Sequence, residues 1–484
     1  MLRVGRVSRV FAVFCVVVLG ASCVPALTQN KPREPHKALP TDFGSVQAAP
    51  LSSDPATLAA NSAQKSWSEF FGDPNLRTLI DSALQNNQEL NVRLQEIVVA
   101  RSEIMSRQGD YLPRVEARVG AGVEKVGKYS SQGVSDEAHG VAKNLQNYQL
   151  GFAAAWEIDI WKKLRSAAKA ATFRYLASME GRNFMVTQLV SEIASSYYEL
   201  MALDNQLEVL RRNIAIQQNA LEMVKLEKQA ARVTQLAVSR FEAEVLKNQS
   251  HQYELEQRRI ETENQINFLL GRFPQSVARN SQSFKDALPN VVQTGIPAQL
   301  LENRPDVKQA ELELEAAKLD VKSAKATFYP ALSIDAGVGY EAFNLKHLVA
   351  TPESLLYSLA GNLVAPLLNR KAIKAQYYSA NARQLQAVFN YERTLLRAFT
   401  ELVNKMAMIK NLQQSFDLQS QQVGLLTQAI DVSNVLFQSA RADYMEVLLT
   451  RRDSLDAEME LIETKNRQRR AMVDIYQALG GGWR

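Results

Sequence analysis

The stretch Tyr111-Leu112-Pro113-Arg114-Val115-Glu116-Ala117-Arg118-Val119-Gly120-Ala121-Gly122 returns 217 residues later as Phe328-Tyr329-Pro330-Ala331-Leu332-Ser333-Ile334-Asp335-Ala336-Gly337-Val338-Gly339. A proline, an alternating run and two glycines in the same order mark one structural unit written twice, and self-similarity at a fixed offset decides a fold before any single element does. The likeness runs from Arg101 to Glu124 in one copy and from Lys318 to Glu341 in the other. Further along, the offset becomes 209, pairing Ala231-Arg232 with Ala440-Arg441 and Leu270-Gly271 with Leu479-Gly480. The 8 extra residues of the first half fall between Glu124 and about Asn147, a stretch rich in glycine, serine and lysine, so a longer loop is expected there. Two halves of about 210 residues thus share a plan of helix, strand, loop, strand, very long helix, tight turn and long helix.

The strands follow from period two. Tyr148, Leu150, Phe152, Ala154, Trp156, Ile158 and Ile160 alternate with Asn147, Gln149, Gly151, Ala153, Ala155, Glu157 and Asp159, a pattern that only an extended chain sorts onto two faces. Val115 to Val123 and Leu332 to Tyr340 alternate in the same way, and a weaker fourth strand is expected near Tyr357 to Leu367. Each is about as long as the roughly 9 to 11 residues that cross a bilayer as a tilted strand.

The helices follow from 3-4 spacing. Val186, Leu189, Ile193, Leu200, Leu203, Leu207, Leu210, Ile214, Leu221 and Val224 fill the a and d positions of one heptad register, with Ser196 and Gln217 in the gaps. The second half supplies Leu395, Leu402, Ile409, Leu412, Phe416, Val423, Leu426 and Ile430. Neither stretch contains proline from about Lys163 to Arg232 or from Lys371 to Arg441. Helices of this length cannot bury their seams in one compact globule, so they must pair with their return helices and with other chains. Nor can four membrane-length strands close a barrel, because roughly eight are the minimum and open edges are not tolerated in lipid. The chain is therefore expected to oligomerise into a conduit with a polar inner surface.

Composition excludes several alternatives. The 56 basic and 51 acidic side chains leave +5, of which Arg3, Arg6 and Arg9 supply three, so no basic stripe for nucleic acid is expected. The four histidines are scattered and the two cysteines, Cys15 and Cys23, both lie near the N-terminus. A metal cluster, a disulfide framework and a cysteine nucleophile are accordingly not expected, and no cofactor is. Glu157 and Asp159 have a spacing that could serve acid–base chemistry, but without a histidine partner or phosphate loop they read as a wet wall, and the chain reads as no enzyme. Arg451-Arg452 and Arg467, Arg469 and Arg470 read as solvated helix faces.

The three leader arginines precede an apolar run, Val10 to Leu19, too short to span a bilayer and followed by Gly20, Ala21 and Ser22. Residues 1–22 read as a signal peptide and Cys23, directly after the small residues, as an acylation site. Residues 23–66, rich in proline, read as lipid anchor and extended tether. Residues 67–272 form the first repeat, 273–299 a connector and 300–484 the second repeat.

These residues resemble the outer-membrane efflux factors of TolC-like type, most closely the NodT or drug-efflux lipoprotein branch. The resemblance rests on Leu19-Gly20-Ala21-Ser22-Cys23, Trp67-Ser68-Glu69-Phe70-Phe71-Gly72-Asp73-Pro74-Asn75-Leu76, Trp156-Glu157-Ile158-Asp159-Ile160-Trp161, Leu300-Leu301-Glu302-Asn303-Arg304-Pro305-Asp306-Val307, Ala442-Asp443-Tyr444-Met445-Glu446-Val447-Leu448 and Leu479-Gly480-Gly481-Gly482-Trp483. It implies an α+β membrane protein: a homotrimer with a 12-stranded β-barrel, four strands per chain, and a long α-helical coiled-coil barrel in the periplasm. It also implies a lipid-anchored outer-membrane location, a periplasmic adaptor (membrane fusion protein) and an inner-membrane pump of RND type as partners. The implied function is a passive exit duct for small molecules; the exit duct of a type I protein secretion system uses the same fold. By motif, the periplasmic gate falls on Met445, Leu449 and Arg452, and adaptor docking on the tips Ala231-Arg232-Val233 and Ala440-Arg441-Ala442. Here alanine stands where the family's tips carry glycine, and Leu449 where it carries an acid.

Overall fold

A computed structural model describes residues 24–27, 31–40, 62–286, 297–439 and 441–483. The signal segment 1–22, Cys23 and Ala440 lie outside the described residues. Chain order runs α1 (Trp67–Phe70), α2 (Pro74–Asn86), α3 (Gln88–Gly109), β1 (Arg114–Glu124), α4 (Ser131–Ala138), β2 (Leu145–Ile158), α5 (Lys163–Gln229), α6 (Gln235–Leu269), α7 (Gln299–Asn303), α8 (Pro305–Ala326), β3 (Ala331–Ala342), β4 (Leu355–Val364), α9 (Lys371–Gln438) and α10 (Tyr444–Ala478), besides short 3₁₀ turns. Elements at corresponding places along the chain have equal lengths: α3 and α8 each have 22 residues, and α6 and α10 each have 35.

Two compact units cut across the repeats. One gathers Ile97–Ala177 and Ala310–Tyr391 with the described residues up to Pro35; the other gathers His36–Glu96, Ser178–Gln309 and Glu392–Arg484. The first holds a four-stranded antiparallel sheet in the order β1-β2-β3-β4. Gly151 faces Gly339 across β2 and β3, and a Cβ on Gly151 would lie 2.8 Å from the Gly339 Cα. Glycine is required there because the two backbones approach too closely for any side chain. The fourth strand ends at Val364 rather than near Leu367, since Pro366 has no N–H for the ladder and restricts Ala365 before it.

The extra residues between β1 and β2 are not all loop. They include α4, whose N-cap Ser130 Oγ accepts from Gly133 N at 3.1 Å. The described residues of the tether segment at 24–27 and 31–40 form neither helix nor strand, and they are held in place. Lys318 Nζ meets Glu34 at 2.7 Å, Gln384 donates to the Arg33 carbonyl at 3.0 Å, and the Arg33 guanidinium lies 5.0 Å from the Phe389 ring centroid. Val24 and Leu27 pack on the cluster of Ala324, Phe328, Tyr377 and Ala380.

The second unit is built on helical seams. All ten apolar a and d residues expected on α5 are buried, none more than 7% exposed. The gap residue Gln217 is buried as well and accepts from Asn248 Nδ2 at 2.9 Å, so a polar pair replaces an apolar one. At the other gap, Tyr197 rather than Ser196 is fully buried, because a straight helix drifts against a strict heptad. Its hydroxyl donates to Asp73 Oδ2 at 2.7 Å. Burial, reinforced by the Asp73 charge, pushes the Tyr197 phenol well above its ordinary range. On α9 the register is covered only near its middle: Leu395, Leu402 and Leu412 are buried, while Phe416, Val423, Leu426 and Ile430 are half-buried.

Two charge readings change. Asp159 lies beyond the end of β2 and caps α5, accepting from Leu164 N at 3.1 Å and Arg165 N at 2.8 Å, while Glu157 pairs with Lys163. The pair is thus a helix start rather than a wall of free acids. Arg469 is buried, not solvated. It donates to the carbonyls of Ser283, Phe284 and Asp286 at 3.0–3.3 Å and lies over the rings of Tyr198 and Phe284.

Candidate functional site

The sheet presents one apolar face whose rows continue across all four strands. Ala117, Phe152, Val338 and Tyr357 form one row; Val119, Leu150, Tyr340 and Leu355 form the next. Much of this face is without cover: Val119 is 81%, Tyr357 80% and, in the neighbouring row, Leu359 78% exposed, while Tyr340 is half-buried. The opposite face carries Glu116, Arg118, Gln149, Ser333, Asp335 and Asn362 among small residues. The Asn362 amide donates to Asp335 at 2.9 Å. Tryptophans fasten one end of the sheet. Trp156 Nε1 donates to the Tyr111 carbonyl at 3.0 Å, and Trp161 Nε1 to the Pro330 carbonyl at 2.8 Å while stacking on Tyr329. Amphipathic rings with a satisfied N–H suit a boundary between apolar and wet surroundings. Among the described residues no helix is long and apolar enough to cross a membrane.

The tips lie in the other unit. α5 ends in a Schellman turn: Arg232 N donates to Glu227 O and Ala231 N to Lys228 O, both at 2.9 Å, with Ala231 at φ 57°. Alanine therefore occupies the left-handed position that glycine fills without strain. α9 closes with the corresponding bond, Arg441 N to Leu436 O at 2.9 Å. Arg232 and Arg441 are exposed, whereas Val233 and Ala442 are half-buried.

One apolar cluster joins the two hairpins. Leu221, Val224, Ala237, Val238, Phe241 and Val245 pack with Leu448, and Val233, Tyr444 and Met445 border them. Arg240 Nη1 lies 3.2 Å from Met445 Sδ, and the Phe241 and Tyr444 rings are 6.3 Å apart. The stripe expected from the sequence is thus divided. Met445 leans on the cluster, Leu449 is 39% exposed, and Arg452 is half-buried beside Asp453. Val447 and Leu448 make the seam instead. Sequence reasoning missed Arg240, and it read Arg451 as solvated, whereas Arg451 is half-buried, donates to Asn434 at 3.1 Å, and has its ionisation pushed by burial below the usual arginine range despite the Asp431 charge. Long-range pairs of this kind leave no periodic signal.

The residues 79–272 and 296–481 match the family model described as outer membrane efflux protein. The chain belongs to this family. Among its relatives, the pyoverdine export outer membrane protein OpmQ of Pseudomonas aeruginosa is 28% identical over 419 residues, covering 87% of this chain and 88% of that protein. The probable outer membrane lipoprotein SilC of Salmonella typhimurium is 24% identical, covering 96% of each chain. The fold is similar to the crystal structure of the Campylobacter jejuni CmeC outer membrane channel, with a TM-score of 0.84 at 19% identity over 95% of this chain and 94% of that one. This outer membrane efflux protein is a channel component of an efflux system, and the family is one of ducts rather than enzymes.

Proposed function

We propose that the protein is the passive exit duct of a tripartite system, a homotrimer whose three sheets close a 12-stranded barrel in the outer membrane. The observation that carries this reading is the sheet: a continuous, uncovered apolar face with β1 and β4 at open edges. In water both features are liabilities, whereas in lipid the face is solvated and the edges pair between copies. The helices supply a second argument. Leu418, Leu425 and Val432 on α9, and Leu246, Tyr253 and Ile260 on α6, repeat at seven-residue steps and stand 46–72% exposed. Stripes with that spacing are coiled-coil seams awaiting a partner, and neighbouring copies provide one.

A periplasmic adaptor docks at the tips around Arg232 and Arg441, and an inner-membrane pump of RND type supplies energy and substrate. Met445 and Leu449, repeated three times around an axis, form an apolar gate, with Arg452 next on the stripe. Cys23 carries the lipid that helps anchor the barrel, in keeping with the name of the Salmonella relative. Small molecules are the cargo, as the name of the Pseudomonas relative suggests, rather than secreted proteins. Cells lacking the gene should retain compounds that complemented cells export. Unchanged retention across a panel of small molecules, with loss of a secreted protein, would contradict the reading.

A further inference from the structure

The two repeats differ sharply at one place where their backbones agree. Gly271 and Gly480 take φ of 66° and 89°, and a Cβ on either would strike a carbonyl oxygen, that of Asn86 at 2.4 Å or of Asn303 at 2.5 Å. The residue after each asparagine reaches the same helix end: Asn87 Nδ2 donates to Leu269 O, and Arg304 Nη1 donates to Ala478 O, both at 2.8 Å. Arg304 does more. Its guanidinium also donates to Glu401 at 3.1 Å and twice to Asp306, at 2.8 and 3.0 Å, and its side chain is 6% exposed.

Both carboxylates have counterparts in the first repeat, Glu192 and Glu89, at the offsets of 209 and 217. The guanidinium does not. Asparagine at position 87 satisfies the helix end and caps α3 but brings no cation, and beside it lies a cavity of about 520 Å³ lined by Asn87, Glu89 and Glu192 with Leu189 and Phe268. Arg272 also lines the cavity, but its Nε is held by Asn267 Oδ1 at 2.7 Å. Glu192 accepts one bond, from Gln265 at 3.0 Å. The volume suits a small ligand, and most of the lining is apolar.

We infer that this cavity binds a small amphipathic guanidinium or amidinium from outside the chain. Its cationic head would face Glu89 and Glu192 in the role that the Arg304 head plays toward Asp306 and Glu401. Its aryl or alkyl part would lie against Leu189 and Phe268. The second repeat thus serves as an internal template: the same carboxylate positions already hold a planar, forked cation, the geometry that carboxylates bind best. The inference goes beyond the exit-duct reading and needs no transport step.

Phenylguanidinium is the probe, titrated into the full-length protein in detergent by calorimetry, with neutral benzyl alcohol as the control. Saturable binding of the cation alone is expected. Glu192→Gln and Glu89→Gln should each weaken it about tenfold. Asn87→Arg, which installs the second repeat's own guanidinium, should abolish binding while the thermal midpoint stays near that of the native protein. Because Asn87 Oδ1 also caps α3 through Leu90 N at 2.9 Å, that variant could lose the fold. The exposed Glu192→Gln change then decides. No saturable binding to the native protein, equal binding of benzyl alcohol, or unaltered affinity in Glu192→Gln would overturn the inference.

Discussion

Individual side chains carry two costs that substitution should relieve. Ala231 sits at φ 57° in the Schellman turn, where a Cβ costs roughly 1 kcal/mol relative to glycine. Ala231→Gly, despite the extra freedom it gives the unfolded chain, should slow hydrogen exchange of the tip amides by about twofold to fivefold; faster exchange would contradict the strain. Glu463 is the second case. Burial, helped by the negative charge of Glu199 and only partly opposed by Arg258, raises its carboxyl above the usual range. A folded-state pKa above the unfolded value means that the native state binds this proton more readily, so stability is gained as pH falls through the raised value and is missing at neutral pH. Glu463→Gln should therefore raise the thermal midpoint at pH about 7 and lose that advantage near pH about 4, the unfolded carboxylate range. An equal effect at both pH values would assign the change to something other than charge. Asp204 runs the other way. Although burial alone would raise it, hydrogen bonds from Arg279 and Ser281 and the Arg279 charge outweigh burial and lower it.

At the scale of elements, the gate and tips give separable outcomes. In the proposed gate, three copies of Leu449 around an axis would offer multivalent cations no ligand, so the native channel should conduct with little block by periplasmic-side trivalent cations, and Leu449→Asp should create block by supplying a carboxylate ring. Strong block of the native channel would remove Leu449 from the gate. Reversing both tip charges, Arg232→Glu with Arg441→Glu, should cut efflux while assembly is kept, since both side chains are exposed and apart from the seam; full resistance would contradict adaptor docking there. The strands and long helices were legible because period two and period 3.5 each write a face directly into the sequence, as Phe152 and Leu203 illustrate. Contacts distant in the chain were not. Nothing near Glu34 announces Lys318, and nothing near Arg469 announces the carbonyls of Ser283 and Phe284. Tyr197 escaped for a different reason, the drift of a 3.6-residue helix through a 3.5-residue register.

For the whole molecule, everything turns on how the sheet's edges are satisfied. A four-stranded sheet with Val119 and Leu359 bare on its edge strands is stable in a bilayer only if its edges are paired in a closed ring, and in the proposed trimer β1 of one copy pairs with β4 of the next and the ring closes after three. The long exposed stripes on α6 and α9 ask for the same neighbours, and the internal repeat explains how one chain can supply both halves of each junction. The most direct test joins those edges covalently. Cysteines placed at Val119 on β1 and, in turn, at Tyr357, Leu359 or Leu363 on β4, with native Cys23 and in parallel with Cys23→Ser, are oxidised in outer membranes and resolved on a denaturing gel. For at least one pairing the account predicts a ladder that stops at a covalent trimer, each single-cysteine control remaining monomeric. Monomers for every pairing, or a ladder that continues past three, would contradict it.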